Sequence, residues 1–452
     1  MSVLGARPYP PKSILKPIRR YASANPSKSL PNRQSSSLTR QSNSTDEIQQ
    51  PSIHDELPQE LIDTIIDFLH SDKVTLRNLT VVSRAWLPRA RLHLLPKNIY
   101  FCLHAANVER VVGVLSSPIR TIGPYVRGLH LQIDELRRAN PKGPVLADHD
   151  AIFQHKSQQV HLRDSLGIVA VACRSLNFLK LTTQYESPYP GPVDADVFII
   201  QIRSFKLLTH LELDACVFGA FEEFLSVICA PRSLRALLVQ NRRCWGWESA
   251  RKTPQAFPSL RLPPRLSRLE VVAERPHLFF EWIQNTPVLP KITTLSLGGS
   301  ENADESLRDA SRGLLQALGP ELKIARLFGW HWLDGADVSR WMNLQTLTIS
   351  HFDLIVAGAR MERLFKQLPA SSLIKINFYF LLDDGADLDA VPWHWIARAL
   401  NHPKFRNLKV LRFQGRTKGH ELEVILREKF EWLDRKGVLS VKTKDRHVGP
   451  WA

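Results

Sequence analysis

The 452-residue sequence has no apolar run near the ~20 residues needed to cross a bilayer, which excludes an α-helical membrane span. Its start also lacks the continuous apolar core of a secretory signal. Cysteine is scarce: Cys102, Cys173, Cys216, Cys229 and Cys244 are an odd, widely spread set without a C-x-x-C pair. That excludes a disulfide framework and reads as small buried apolar groups in a reducing compartment, cytoplasm or nucleus. The phosphate-cradling G-x-x-x-x-G-K-[ST], the dinucleotide G-x-G-x-x-G, the nucleophile elbow G-x-S-x-G and the zinc-binding H-E-x-x-H are all missing. No catalytic residue, metal site or cofactor is therefore assigned, and the chain reads as a non-enzyme. Asp383, Asp384, Asp387 and Asp389 read as an acidic loop ahead of a helix rather than a calcium site. Trp330-His331-Trp332 and Trp393-His394-Trp395 read as core aromatics with an edge-facing histidine.

Acidic residues are missing from the first 45 positions, which hold Arg7, Lys12, Lys16, Arg19, Arg20, Lys28, Arg33 and Arg40. Half of the net charge of +16 thus sits in a tenth of the chain. The body is only mildly basic, which disfavours nucleic acid as a partner. Residues 1–52 are rich in Pro, Ser and Arg and cannot bury enough apolar surface to offset chain entropy, so a disordered tail is expected. Pro8, Pro10, Pro11 and Pro17 oppose the amphipathic helix of a mitochondrial import peptide. The spacings Arg20 to Ser23 and Arg33 to Ser36 offer phosphorylation sites.

Composition changes at Asp55. Leu57 to Leu69 reads as a helix opened by Pro58, with Glu60 in the first turn against the positive helix end. Leu61, Ile65 and Leu69 fall four residues apart, flanked by Ile62, Ile66 and Phe68, with Asp63, Thr64 and Asp67 opposite. Asp72 is a candidate cap for a second helix through Leu76, Leu79, Val82 and Trp86. Pro88 interrupts, and Arg89 to Leu95 reads as a third helix. Three short helices in about 40 residues make a poor core alone.

The pattern Leu57-Pro58-x-Glu60-Leu61, then Ile65, Phe68-Leu69, Leu76, Leu79, Val82 and Trp86, resembles an F-box. The run Val81 to Arg91 is especially similar to the form common in large fungal F-box families, with Ser83 where cysteine is usual. The resemblance implies docking on a Skp-type adaptor and, through it, a cullin–RING ubiquitin ligase. Carried over by position, Leu57, Pro58, Glu60, Leu61, Ile65, Leu76 and Leu79 are the implied adaptor contacts, while Leu69, Val82 and Trp86 pack the helices together. The implied role is a non-catalytic substrate receptor of an SCF-type complex whose protein target the sequence does not name. The alternative is a non-ligase scaffold whose F-box-like helices cap the body, burying Leu61, Ile65 and Leu69 against the segment at Val126.

Downstream a phrase L-x-x-L-x-L recurs, whose last two apolar residues alternate as in a strand facing a core. It starts at Val126, Leu176, Leu208, Leu234, Leu266, Ile292, Leu344, Leu373 and Leu408, with a weaker copy at Ile324. From Leu176 onward the steps run from 20 to 35 residues, bracketing the leucine-rich-repeat period. Helical spacing appears between phrases, at Phe218 to Ala230, Ala303 to Leu318 and Ala357 to Leu368. The Leu208 unit continues to Cys216 at the turn position of such repeats; the other units depart from that signature. Ala139 to Asp150 and Arg242 to Pro264, the latter with Trp245 and Trp247, read as inserted loops, and Leu422 to Val441 as a terminal cap. The expected fold class is α/β: a short three-helix F-box (53–98) followed by an irregular leucine-rich-repeat-like α/β solenoid with parallel strands (99–452). An irregular α/β domain without solenoid curvature is the other option.

Overall fold

A computed structural model describes residues 57–83, 85–94, 99–103, 107–116, 122–134, 165–184, 195–216, 218–241, 257, 259–273, 276–299, 305–381, 391–416 and 421–443. The basic tail, Cys244, residues 242–256 of the expected insert with Trp245 and Trp247, the segment 139–150 and the aspartates at 383–389 lie outside these residues, while Phe257 and Leu262 from the end of that insert are buried in the core.

Among the described residues, twelve strands form one parallel sheet whose spatial order is the chain order. They are β1 (Ile99–Leu103), β2 (Val126–Asp134), β3 (Phe178–Gln184), β4 (His210–Asp214), β5 (Ala236–Asn241) and β6 (Arg268–Ala273). The second half comprises β7 (Thr294–Gly298), β8 (Ile324–Phe328), β9 (Thr346–Asp353), β10 (Lys375–Leu381), β11 (Val410–Arg416) and β12 (Leu439–Thr443). A parallel sheet in which every strand pairs with its sequence neighbours is built by returning the chain through a crossover each time, which is the connectivity of a solenoid. The expected α/β solenoid is the fold of this chain.

The repeat phrase sets the register. Leu179, Leu211, Leu237, Leu269 and Leu295 are successive partners on β3 to β7. Two residues on, Leu327, Ile349, Phe378, Phe413 and Val441 continue the parallel row through β8 to β12. Such ladders place like on like, so the inner face is a continuous apolar stripe. One core runs from Leu103 to Leu439.

Helices between the strands cover that inner face. Phe365 in the helix Leu354–Gln367 meets Phe378 edge-on with ring centroids 6.2 Å apart. Trp393 in the helix Trp393–Leu400 meets Phe413 edge-on at 6.1 Å. Trp330, His331 and Trp332 are buried, and Trp332 Nε1 donates to Phe328 O at 3.0 Å. The turn they form begins at Gly329, whose φ of 106° lies in the left-handed region; a Cβ there would also meet His331 at 2.7 Å. Trp393 is likewise core, but Trp395 stands 41% exposed, so the second aromatic triplet is only half committed to packing. Cys216 is buried, and its Sγ lies 3.4 Å from Leu181 O inside the turn. Burial pushes the thiols of Cys173, Cys216 and Cys229 up to about 12.

Beyond the recurring phrases, the structure adds β1, whose Ile-Tyr-Phe-Cys-Leu lacks the full motif, and further helices such as Val108–Ser116 and His277–Gln284. The C-terminal segment is two short helices, Glu421–Lys429 and Glu431–Arg435, then β12. Gly437, with φ 67°, turns the chain from the second helix into that last strand.

Candidate functional site

Residues 57–94 fold as three helices, α1 (Gln59–Phe68), α2 (Lys73–Val82) and α3 (Leu87–Leu94). Pro58 stands just before α1, and its carbonyl accepts from Leu61 N at 3.0 Å and Ile62 N at 3.2 Å. Asp72 caps α2 by accepting from Val74 N and Thr75 N, each at 3.1 Å. Pro88 occupies the second position of α3 and does not interrupt a helix, because the first turn leaves its missing N–H without consequence. Trp86 accordingly lies in the turn ahead of α3, not at the end of α2.

The three helices hold a small core of their own, separate from that of the solenoid. Ile62, Ile66, Leu76 and Ala90 form its centre, with Leu69, Leu79, Ala85, Trp86 and Leu94 partly buried around it. Polar ties fasten the ends. Asp67 accepts from Arg89 through both carboxylate oxygens, from Nε at 2.6 Å and from Nη2 in a closer contact. His93 Nε2 lies 2.7 Å from the same carboxylate. The hydrogen bonds from Arg89 and His93 hold the Asp67 carboxyl well below the usual carboxylate range. Lys73 Nζ donates to His93 O at 2.5 Å, linking α2 to α3. Tyr125 Oη, in the turn before β2, donates to Pro88 O at 3.0 Å and ties the helical knob to the first solenoid units.

Against this frame α1 is apolar on two sides. Ile62 and Ile66 face inward, while Leu57, Leu61 and Ile65 face water, Leu61 51% and Ile65 42% exposed. Phe68 is 82% exposed, and α2 adds Val74 and Val81 to the exposed apolar set. Pro58 and Glu60 are exposed at the start of α1. Leu61 and Ile65 are therefore not sealed against Val126, as the capping alternative requires.

Two assignments change. Leu76, expected as an adaptor contact, is fully buried, because α2 turns it toward Ile62 and Ile66; Leu79 is half-buried beside it. Val82, expected to pack the helices, is 55% exposed. Leu69 and Trp86 are partly buried against the small core. Sequence reasoning missed Asp67, placed there on a solvated face; its signal is the pairing with Arg89 and His93, which lie more than twenty positions downstream. Among the described residues no group of three or more His, Cys, Asp or Glu is arranged to hold a metal ion.

The fold and this exposed knob define the class: a leucine-rich-repeat-like α/β solenoid carrying a three-helix appendage at its first end. No family model matches the chain, and the curated proteins yield no relative. Among solved structures it is similar to a Rad7–Elc1 complex from yeast, at 12% identity over 87% of this chain and 91% of that one, with a TM-score of 0.40. It is also similar to an internalin (InlF) from Listeria monocytogenes, at 12% identity over 74% and 92% with a TM-score of 0.28. A TLR13–ssRNA13 complex matches at 12% identity over 81% and 60%, with a TM-score of 0.25. The fold assignment rests on the strand order of this chain itself.

Proposed function

We propose that the chain is a non-catalytic substrate receptor of an SCF-type cullin–RING ubiquitin ligase: the three-helix knob docks on a Skp-type adaptor, and the solenoid holds a protein target. One observation carries the reading. Leu61 and Ile65 lie on the outer side of α1, with Leu57 exposed just ahead of it, while Ile62 and Ile66 satisfy the inner side, so the outer residues have no packing task within the described chain. Full burial of an exposed side chain of this size is worth about 1.5–3 kcal/mol, and covering the half that each still exposes contributes about half of that.

The adaptor contacts in this reading are Leu57, Pro58, Glu60, Leu61 and Ile65, with Phe68 joining them at the far end of α1. Leu76 supports the site from beneath rather than touching the partner. The test is a pull-down of the full chain with a purified Skp-type adaptor, beside the double variant Leu61→Asp/Ile65→Asp. The wild type is retained and the variant is not, while both keep the same far-ultraviolet circular dichroism. Equal retention, or none for either, contradicts the reading.

A further inference from the structure

The face of the sheet opposite the helices carries the residues that the repeat phrase leaves free, and their charge is unevenly distributed. On β3 to β6 the cations are compensated. Lys180 Nζ contacts Glu212 closely and Asp214 Oδ2 at 3.1 Å, and Arg268 pairs with Glu270 at 3.0 Å. On β8 to β12 the same face presents Arg326, Lys375, Arg412 and Lys442, and no described side chain there is a carboxylate. None of the four cations has an ion-pair partner among the described residues.

A second, independent feature lies in the middle of this half. Asn377 alternates with the core residues Ile376 and Phe378 and so faces the open side, yet it is only 5% exposed. Its Nδ2 donates to Thr348 Oγ1 at 3.0 Å, while its Oδ1 is buried without a hydrogen-bond partner. Arg412 is its register partner on β11, and Arg412 Nε is buried and likewise without one. An unpaired acceptor and an unpaired donor on adjacent strands are a costly arrangement for an interior, each worth about 1–3 kcal/mol when left unmade.

We propose that the β8–β12 half of the open face binds an extended, Asp/Glu-rich segment of a partner polypeptide. The inference rests on the receptor reading and gives the chemistry of the target. A polypeptide brings both required groups: carboxylates for the four cations and backbone N–H donors for Asn377 Oδ1. A phosphodiester backbone brings no donor for that oxygen. The cations are also dispersed. Lys375 lies two residues before the Asn377–Arg412 row and Lys442 two residues beyond it, on different strands. Single positive charges so spaced suit carboxylates set ~7 Å apart along one side of an extended chain. One dianionic phosphate would need two cations converging on one place.

Length points the same way. Five strands at ~4.8 Å span ~19 Å between the outer two, the reach of about six extended residues. A longer polyanion running along the sheet meets Glu270, Glu212 and Asp214. The chain's own tail is excluded as occupant by its eight cations and no acid in the first 45 residues.

The test is fluorescence anisotropy with the full chain and a labelled twelve-residue peptide alternating Asp or Glu with Thr and Val, at physiological ionic strength. Its neutral Asn/Gln counterpart, a single-phosphoserine peptide and an oligothymidylate of equal length run beside it. The acidic peptide binds saturably, and the other three bind at least tenfold more weakly. Arg326→Gln/Arg412→Gln lowers affinity for the acidic peptide at least tenfold. Should that variant fail to fold, Lys375→Gln/Lys442→Gln gives the same direction of loss. Arg7→Gln/Arg19→Gln in the tail leaves binding unchanged. Equal binding of the neutral peptide, undiminished binding by the folded face variants, or tighter binding of phosphoserine or oligonucleotide overturns the proposal. Leu61→Asp/Ile65→Asp leaves peptide binding intact, so failure of adaptor docking and failure of this surface are read separately.

Discussion

Ile65 and Ile66 are neighbours in the chain and opposites in the structure: Ile66 is fully buried with Leu76 and Ala90, while Ile65 is 42% exposed. One turn of helix thus divides two tasks, holding the knob together and offering apolar surface.

That division makes the two isoleucines respond differently to truncation. Ile66→Ala and Leu76→Ala each destabilise the knob by about 2–5 kcal/mol through lost packing and a residual cavity. Leu61→Ala and Ile65→Ala change stability by no more than about 0.5 kcal/mol. Native-state hydrogen exchange of the α1–α3 amides, read against those of the solenoid strands, checks both. Equal protection loss in the inner and outer variants would contradict the separation of tasks.

Asp67 is expected to act as a clasp. Asp67→Asn removes the charged acceptor shared by Arg89 and His93 and raises exchange in α3 first. The wild-type contribution has a definite pH sense. Because the folded carboxyl titrates below its unfolded value, its stabilisation is complete above about pH 4 and is lost as pH falls below that. Exchange of α3 that is indifferent to the substitution at pH 7 would show that the ion pair does not hold the helix.

His331 behaves in the opposite environment. Burial pushes it down to about 4, with Asp334 opposing and Arg308 and Arg360 reinforcing the shift. The folded protein therefore carries it neutral while the unfolded chain takes up a proton near pH 6.5. Between those values the unfolded state binds more protons, so stability falls as pH falls, by up to ~1.4 kcal/mol per pH unit. Urea midpoints at pH 7 and pH 5 should differ in the wild type, and His331→Phe should narrow the difference. An unchanged difference would assign the pH sensitivity elsewhere.

In the solenoid, Phe413 packs against Phe378, Trp393 and Phe430 at centroid distances of 5.3, 6.1 and 5.5 Å. Phe413→Ala is expected to cost about 3–5 kcal/mol. Because each unit contacts mainly its neighbours, the loss should concentrate in β10 to β12. Hydrogen exchange rising uniformly from β1 onward would contradict that locality.

The ladder was legible because L-x-x-L-x-L writes the strand period into the sequence, and pairs such as Leu211–Leu237 follow once the strands are parallel. The outer side of α1 was legible in part, since Leu61 and Ile65 share one helical stripe, but Leu69, which continues that stripe in the sequence, is partly buried against the small core. What periodicity cannot supply is the partner of a stripe. Leu76 and Val82 lie on the same short helix, and which of them turns inward is decided by how α2 crosses α1. The tie of Asp67 to Arg89 and His93 spans more than twenty positions and leaves no local mark. β1 escaped notice because Ile-Tyr-Phe-Cys-Leu borrows its partner, β2, rather than carrying the phrase itself.

Isothermal titration calorimetry of the full chain with a purified Skp-type adaptor bears most directly on the outward row of α1. A saturable one-to-one complex is expected, with a negative heat-capacity change from apolar burial, abolished by Leu61→Asp/Ile65→Asp. No heat of binding at any temperature, or the same isotherm from the double variant, would mean that Leu61 and Ile65 do not meet that partner.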